Sequence, residues 1–241
     1  MNPFDAPATV LDWFARIGTL IALGSWLTHV TRTRLRNRAV RRFFGGTEIS
    51  LVLPLRTLQG RTAVAEPDYL AARTLETFLA TRGIRCETRF VGPEEPLSLG
   101  PGGHLLICGP KSSADVAERM SRDPRLRFTH RADGWRIVTR DTGLSYRSRN
   151  DSTGEDSDIG YLSRTREAAV GGDRTVVTIA GVHAQGSAIV AAQLAGVRPI
   201  RGLLRRARGS GFSAVIGGSY AEHTLRVLDT AELGFFRHPD R

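Results

Sequence analysis

The stretch that decides the fold is Arg174–Leu194, RTVVTIAGVHAQGSAIVAAQL. Its first seven residues, Arg174–Ala180, form a short apolar run rich in β-branched side chains, which is the pattern of a strand buried on both faces. Gly181–Ser187 then breaks the run and leads into an apolar segment, Ala188–Leu194, that reads as a helix. Strand, glycine loop and helix in one line are the repeating unit of a parallel α/β sheet.

The same grammar recurs upstream. Ile49–Leu55 (ISLVLPL) and His104–Cys108 (HLLIC) are buried strands. The polar stretch Arg56–Glu66 reads as a loop. Pro67-Asp68 opens a helix in which Leu70, Leu75, Phe78 and Leu79 recur at helical spacing, and Gly83 closes it. Arg85–Val91 returns as a strand, and the Pro/Gly-rich Gly92–Gly103 is a loop. Gly109-Pro110-Lys111-Ser112-Ser113 turns into a helix over Ala114–Ser121. Three short strands follow, Arg125–His130, Trp135–Thr139 and Leu144–Ser148, punctuated by Asp133-Gly134 and Asp141-Thr142-Gly143. Asn150–Asp158 reads as an acidic loop. Ile159–Thr165 is a strand, Pro199–Arg206 a helix, and Phe212–Gly217 and Leu225–Leu233 two closing strands. The predicted fold is a mixed, mainly parallel, three-layer Rossmann-like α/β sheet extended by antiparallel hairpin strands and preceded by one N-terminal apolar helix.

The organisation is uneven along the chain. Residues 47–241 suit one domain of ordinary size. Residues 1–46 hold seven Arg and two Asp, so half of the net charge of +10 lies in less than a fifth of the 241 residues. Phe43-Phe44-Gly45-Gly46 reads as a hinge between the two regions. The remaining charge is too dispersed for the concentrated basic face of a nucleic-acid-binding domain. Two cysteines, Cys86 and Cys108, without metal-type spacing exclude a disulfide scaffold and point to a reducing compartment.

Ala8–Val30 (ATVLDWFARIGTLIALGSWLTHV) is apolar apart from Asp12 and Arg16, which are four residues apart and can pair on one helix face. Trp13 and Trp26 sit near its ends, as interfacial anchors do. The next segment, TRTRLRNRAVRR, has six Arg in twelve residues, Arg32–Arg42. The positive-inside rule places that side in the cytoplasm. The expectation is therefore a single-pass anchor of the cell membrane, residues 1–30, an Arg-rich juxtamembrane linker, residues 31–46, and a cytoplasmic α/β domain, residues 47–241. Membrane lipid is the expected partner of Ala8–Val30 and Arg32–Arg42. Two other readings are an in-plane amphipathic helix and a cleaved signal peptide, the latter lacking a basic n-region and a small-residue cleavage site.

In an open α/β sheet, ligands bind beyond the carboxyl ends of the strands. Two joints qualify. In the first, the backbone N–H groups of Gly109, Ser112 and Ser113 can meet an anion, with Lys111 adding charge. It lacks the glycine spacing of a Walker A loop, and a plain turn with Ser112 or Ser113 as helix N-cap is the bland alternative. In the second, Gly181 and Gly186 match the outer glycines of G-x-G-x-x-G. His183 stands where the middle glycine would be and blocks the approach of a dinucleotide pyrophosphate, so no NAD, FAD or other cofactor is expected. Gly181, His183, Gln185, Gly186 and Ser187 can still hold a smaller anion, with His183 as donor or acid/base. The bland alternative is a hydrogen-bonded loop histidine with Ser187 as N-cap. Asp151, Glu155, Asp156 and Asp158 lack EF-hand spacing and read as a solvated loop, so no metal site is expected. Cys108 reads as core, and Arg198, Arg201, Arg205 and Arg206 as a solvated or anion-facing helix face. No G-x-S-x-G, H-E-x-x-H or C-x-x-C motif occurs.

Four segments together carry a family resemblance: Gly109-Pro110-Lys111-Ser112, the hairpin around Asp141-Thr142-Gly143, Asp158-Ile159-Gly160-Tyr161-Leu162-Ser163-Arg164, and Ala180–Ser187. Residues 49–233 resemble an uncharacterised α/β domain of actinobacterial proteins, found beside helix-turn-helix or membrane segments. The resemblance implies sensing in a signalling or conflict system and assigns no catalytic residue. The expected function is a membrane-tethered domain that binds a small anionic or nucleotide-like molecule. The alternatives are a scaffold without a small ligand and a nucleotide-acting hydrolase with His183 as base. Oligomeric state is not legible.

Overall fold

The computed structural model describes Leu23, Ser25, Trp26, Thr28 and Thr31, then residues 33–221 and 223–239. Most of Ala8–Val30 and Arg32 thus lie outside the described residues, and among those described no helix is long and apolar enough to cross a membrane. The chain divides into two units, Met1–Arg38 and Ala39–Arg241.

The second unit is an α/β body around a seven-stranded mixed sheet. Its strands are β1 (Glu48–Pro54), β4 (Arg85–Val91), β5 (Gly102–Ile107), β9 (Ser157–Ala169), β10 (Gly172–Gly181), β11 (Phe212–Tyr220) and β12 (Val227–Arg237). Across the sheet the order is β12-β11-β9-β10-β5-β1-β4. The β4, β1, β5 and β10 strands are mutually parallel. The β9 strand runs antiparallel to both β10 and β11, and β12 runs antiparallel to β11. The predicted hairpin strands do not extend this sheet. They form a separate three-stranded one from β6 (Leu126–Arg131), β7 (Gly134–Thr139) and β8 (Ser145–Arg147). Arg56–Glu66 is not a plain loop either. It holds the hairpin β2 (Arg56–Leu58) and β3 (Arg61–Ala63), closed by Gln59 and Gly60, both at positive φ as a two-residue turn of matching twist requires.

Helices follow the apolar spacing. On α2 (Glu66–Ala80), Ala71, Leu75, Phe78 and Leu79 are buried, whereas Leu70 is exposed, contrary to its place in the predicted stripe. Gly83 lies beyond the helix end at Thr81, in a left-handed turn. The remaining helices of this unit are α3 (Ala114–Ser121), α4 (Asn150–Thr153), α5 (Ala184–Leu194) and α6 (Val197–Ala207). One core joins α2, α5 and α6 to Leu51, Leu53, Leu105, Ile107, Val177 and Ile179. A second joins Val116 and Met120 of α3 and Leu126 and Ile137 of the small sheet to Cys108, Tyr161, Ala180 and Val215. Strand residues alternate between the two cores, so α2 and α5 cover one face and α3 with the small sheet covers the other.

The expected hinge at Phe43–Gly46 is a fixed point instead. The helix α1, described over 33–44, ends with Gly45 N and Gly46 N both donating to Arg41 O at 2.8 and 2.9 Å. Phe43 and Phe44 are fully buried in the first core, worth about 2–3 kcal/mol each. Buried Arg164 on β9 donates from Nε to Phe43 O (2.8 Å) and from Nη2 to Arg42 O (2.9 Å). A cation there satisfies the helix's last carbonyls and complements its negative end. Burial lowers the Arg164 guanidinium to about 10, with Arg166 and Arg42 adding repulsion. The body therefore begins inside the Arg-rich segment, at Ala39.

Candidate functional site

The β5 and β10 strands are direct neighbours, so their carboxyl ends bring the two predicted joints together. Lys111 Nζ donates to Val182 O at 3.0 Å, and a Cβ built on Gly109 would sit 3.7 Å from Gly181 O. The Lys111 ammonium also lies 4.9 Å from the centre of the Trp135 ring, a cation–π contact the sequence did not reveal. Burial lowers the Lys111 pKa, opposed by the charges of Asp158 and Asp151.

The second joint is built differently from the expectation. The α5 helix begins at Ala184, four residues earlier than predicted, with His183 as N-cap and no side-chain cap bond. Ser187 therefore lies inside the helix's first turns and does not cap it. The orphan N–H groups at the helix start go to Asp158, at the head of β9. Its Oδ2 accepts from Gly186 N at 2.6 Å, and its Oδ1 accepts from Ile159 N at 2.8 Å and His183 N at 3.4 Å. An internal carboxylate thus occupies the place that a bound phosphate takes at a helix N-terminus. Asp158 is 2% exposed, so it is no member of a solvated acidic loop. Burial raises its pKa, against the stabilising pull of the Ile159 amide, His183 and the Gly186 amide.

The glycines here serve close packing. A Cβ on Gly181 would collide with His183 O, one on Gly186 with Ile159 O, and one on Gly160 with Gly186 O. The helix start is pressed onto β9 at these three points. That leaves side chains, rather than backbone amides, as the groups that can meet a ligand.

His183 is the most available of them, with its side chain 38% exposed. Its Nε2 lies 2.8 Å from Asp151 Oδ1 on α4, yet off the axis of a hydrogen bond, and it remains without a hydrogen-bond partner. Gln185 Oε1, two residues on, is likewise buried and unpartnered. Ser112 and Ser113 diverge from this group. Ser113 Oγ accepts from Val116 N at 3.4 Å as the cap of α3. Both serines line a separate cavity of about 250 Å³ with Pro54, Leu55 and Asp115.

Asp68 and Arg56 belong to this edge too, although the sequence marked Asp68 only as part of a helix start and Arg56 only as part of a polar loop. Because β4 and β5 flank β1 on opposite sides, the chain's crossovers diverge beside β1, which opens the crevice where α/β sheets take ligands. Burial pushes the Asp68 carboxyl up to about 6, against a hydrogen bond with Ser187 and the Arg56 charge. The Cys108 thiol is pushed up to about 12 by burial, with the Asp68 charge adding to it. It is therefore protonated and inert near neutral pH, as a core residue should be. Among the described residues no group of His, Cys, Asp and Glu side chains is arranged to hold a metal ion. No family model, no curated protein and no solved structure matches this chain.

Proposed function

We propose that this chain is a membrane-tethered binding domain for a small anionic or nucleotide-like ligand, with the ligand at the carboxyl edge between Gly109–Ser113 and Gly181–Ser187. One observation carries the reading. Two buried polar atoms on a single turn are under-satisfied beside Lys111: Gln185 Oε1 has no hydrogen-bond partner, and His183 Nε2 has only its off-axis contact with Asp151. Buried polar groups are almost always fully paired, so under-satisfied atoms at a strand's carboxyl end support a place for a ligand there. Because Asp158 holds the α5 amides, the anion meets Lys111 and His183, and Gln185 Oε1 accepts from an O–H or N–H of the same ligand. The Rossmann-like reading of β1, β4 and β5 supports a site at this edge. The tether rests on the apolar Ala8–Val30, the six Arg of Arg32–Arg42 that set the cytoplasmic side, and the resemblance to domains found beside membrane segments.

Calorimetric titration of the full-length chain with AMP and with inorganic phosphate tests the site. Binding that weakens at least about tenfold in the Lys111→Ala/His183→Ala double variant supports it. Unchanged binding in that variant refutes the placement.

The pairing of His183 with Asp151 favours a second reading, a nucleotide-acting hydrolase with His183 as general base and Asp151 orienting the ring. Turnover of a nucleoside phosphate by the wild-type chain, lost in His183→Ala, would promote it over binding.

A further inference from the structure

A second cavity lies away from the carboxyl edge, on the sheet face that α3 covers. It measures about 700 Å³ and is walled by α3, the Pro96–Leu99 loop, β9, β10 and the C-terminal His238-Pro239. A sheet face beneath a helix is ordinarily apolar. Here the register sets a row of hydroxyls across three adjacent strands, with Thr178 of β10 opposite Ser163 of β9 and Ser163 opposite Ser213 of β11. Tyr161 and Thr165 stand on the same face in the flanking rows.

The arginines around the cavity are matched by its carboxylates, and Asp115 accepts from Leu97 N at 2.6 Å. Arg119 holds Glu167 through two bonds, at 2.5 and 3.1 Å, and Arg174 Nε donates to the same carboxylate at 2.9 Å. Burial would raise Glu167, but hydrogen bonds from Arg119 and Thr165, the Arg119 charge and Arg174 hold it down to about 2. Arg122 pairs with Glu118. Asp123 is saturated: it accepts from Arg125 N and Leu126 N at 2.7 and 2.9 Å, from Tyr161 Oη at 2.6 Å and from Ser213 Oγ. His238 Nε2 lies 2.7 Å from Ser213 Oγ. Ser213 is fully buried and gives its proton to Asp123, so these three residues form a structural cluster and not a nucleophile.

Thr178 is the exception. It is 2% exposed and lines the cavity, and its hydroxyl has no hydrogen-bond partner among the described residues. Ser163 beside it, whose hydroxyl bonds Tyr161, keeps spare capacity because a hydroxyl offers one donor and two acceptor positions. Leu97, Leu99 and Pro124 supply an apolar wall.

We infer that this cavity is a binding site for a neutral, polyhydroxylated small molecule of monosaccharide to nucleoside size, held by the Thr178–Ser163 hydroxyls and stacked on Leu97, Leu99 and Pro124. The volume falls within the roughly 300–1,000 Å³ of small-molecule sites. With Arg119, Arg122 and Arg174 all held by carboxylates, an anionic ligand would have to break a salt bridge to enter. A hydroxyl-bearing one takes up only the unpaired groups.

Saturation-transfer NMR and calorimetry on the full-length chain, with D-glucose, D-ribose and adenosine against glucose 6-phosphate and AMP, test this. At least one neutral probe should bind, and its phosphate ester should bind more weakly at this site. Thr178→Val, which keeps the side-chain shape, should cost that probe about tenfold in affinity, the worth of one buried hydrogen bond, and leave the melting temperature unchanged. Lys111→Ala/His183→Ala should leave it alone, which separates this site from the carboxyl edge. Failure of all three neutral probes to bind overturns the inference. So does binding that is indifferent to Thr178→Val, or a phosphate ester that displaces the neutral probe.

Discussion

The joints β5–α3 and β10–α5 look alike in sequence, each a buried strand, a glycine and a helix, yet the protein completes them in opposite ways. The first is self-sufficient. Ser113 caps its own helix, and Gly109 has room for a Cβ, with nothing nearer than 3.7 Å. The second is completed from outside, by Asp158 from a strand 23 or more residues upstream, and its glycines have no room at all. A strand–glycine–helix signature therefore announces a set of unsatisfied N–H groups without saying whether a ligand or the protein's own carboxylate will satisfy them.

Single substitutions sharpen this contrast. The largest effect should come from Gly181→Ala, whose methyl would overlap the backbone oxygen of His183, a contact that no rotamer change relieves. Denaturant unfolding should show a loss of more than about 3 kcal/mol, whereas Gly109→Ala should stay within about 0.5 kcal/mol of wild type. Equal losses would mean the two joints are packed alike.

Asp158→Ala should follow, at about 2–3 kcal/mol, because it removes the acceptor of Ile159 N and His183 N and leaves Gly186 N only a long bond to His183 O. If the variant is as stable as wild type but gains affinity for inorganic phosphate, the carboxylate is a simple stand-in for that ion. Without such a gain, it is structural.

The pH dependence comes next. Asp68 has a folded-state pKa of about 6, above its ordinary value of 3.8. Between those values the folded state holds more protons than the unfolded one, so stability should fall as pH rises from about 4 to about 6 and then level off. The drop is on the order of 2 kcal/mol. Asp68→Asn should flatten that part of the profile, and an unchanged slope would show that Asp68 is not its source.

The smallest effects belong to the self-sufficient joint. Ser113→Ala should cost about 1 kcal/mol as the loss of a helix cap. Ser112→Ala, whose hydroxyl reaches only the Cys108 thiol, should cost less than about 0.5 kcal/mol. A reversal of that order would move the cap by one residue.

Much of the α/β body was legible because it rests on local pattern. The apolar runs at Ile49–Leu55 and Arg174–Ala180 became β1 and β10 with shifts of one or two residues at their ends, and α3 spans Ala114–Ser121 as its spacing implied. Where the reading failed, the deciding contact was distant. Arg164 turned a glycine-rich hinge into a fixed helix end, and Asp158 moved the start of α5 forward to Ala184. The hairpins joined a separate sheet because pairing partners are chosen across the fold and not along the chain.

The candidate site divides on the same line. Sequence alone determined that Lys111 and His183 follow buried strands, since hydrophobic periodicity and glycine placement are properties of neighbours in the chain. Only the tertiary structure decided that β5 and β10 lie side by side, that Asp151 comes to His183 and that Thr178 and Ser163 share one face of a cavity. Strand order and register are set by the packing of the whole sheet, and no local run of residues encodes them.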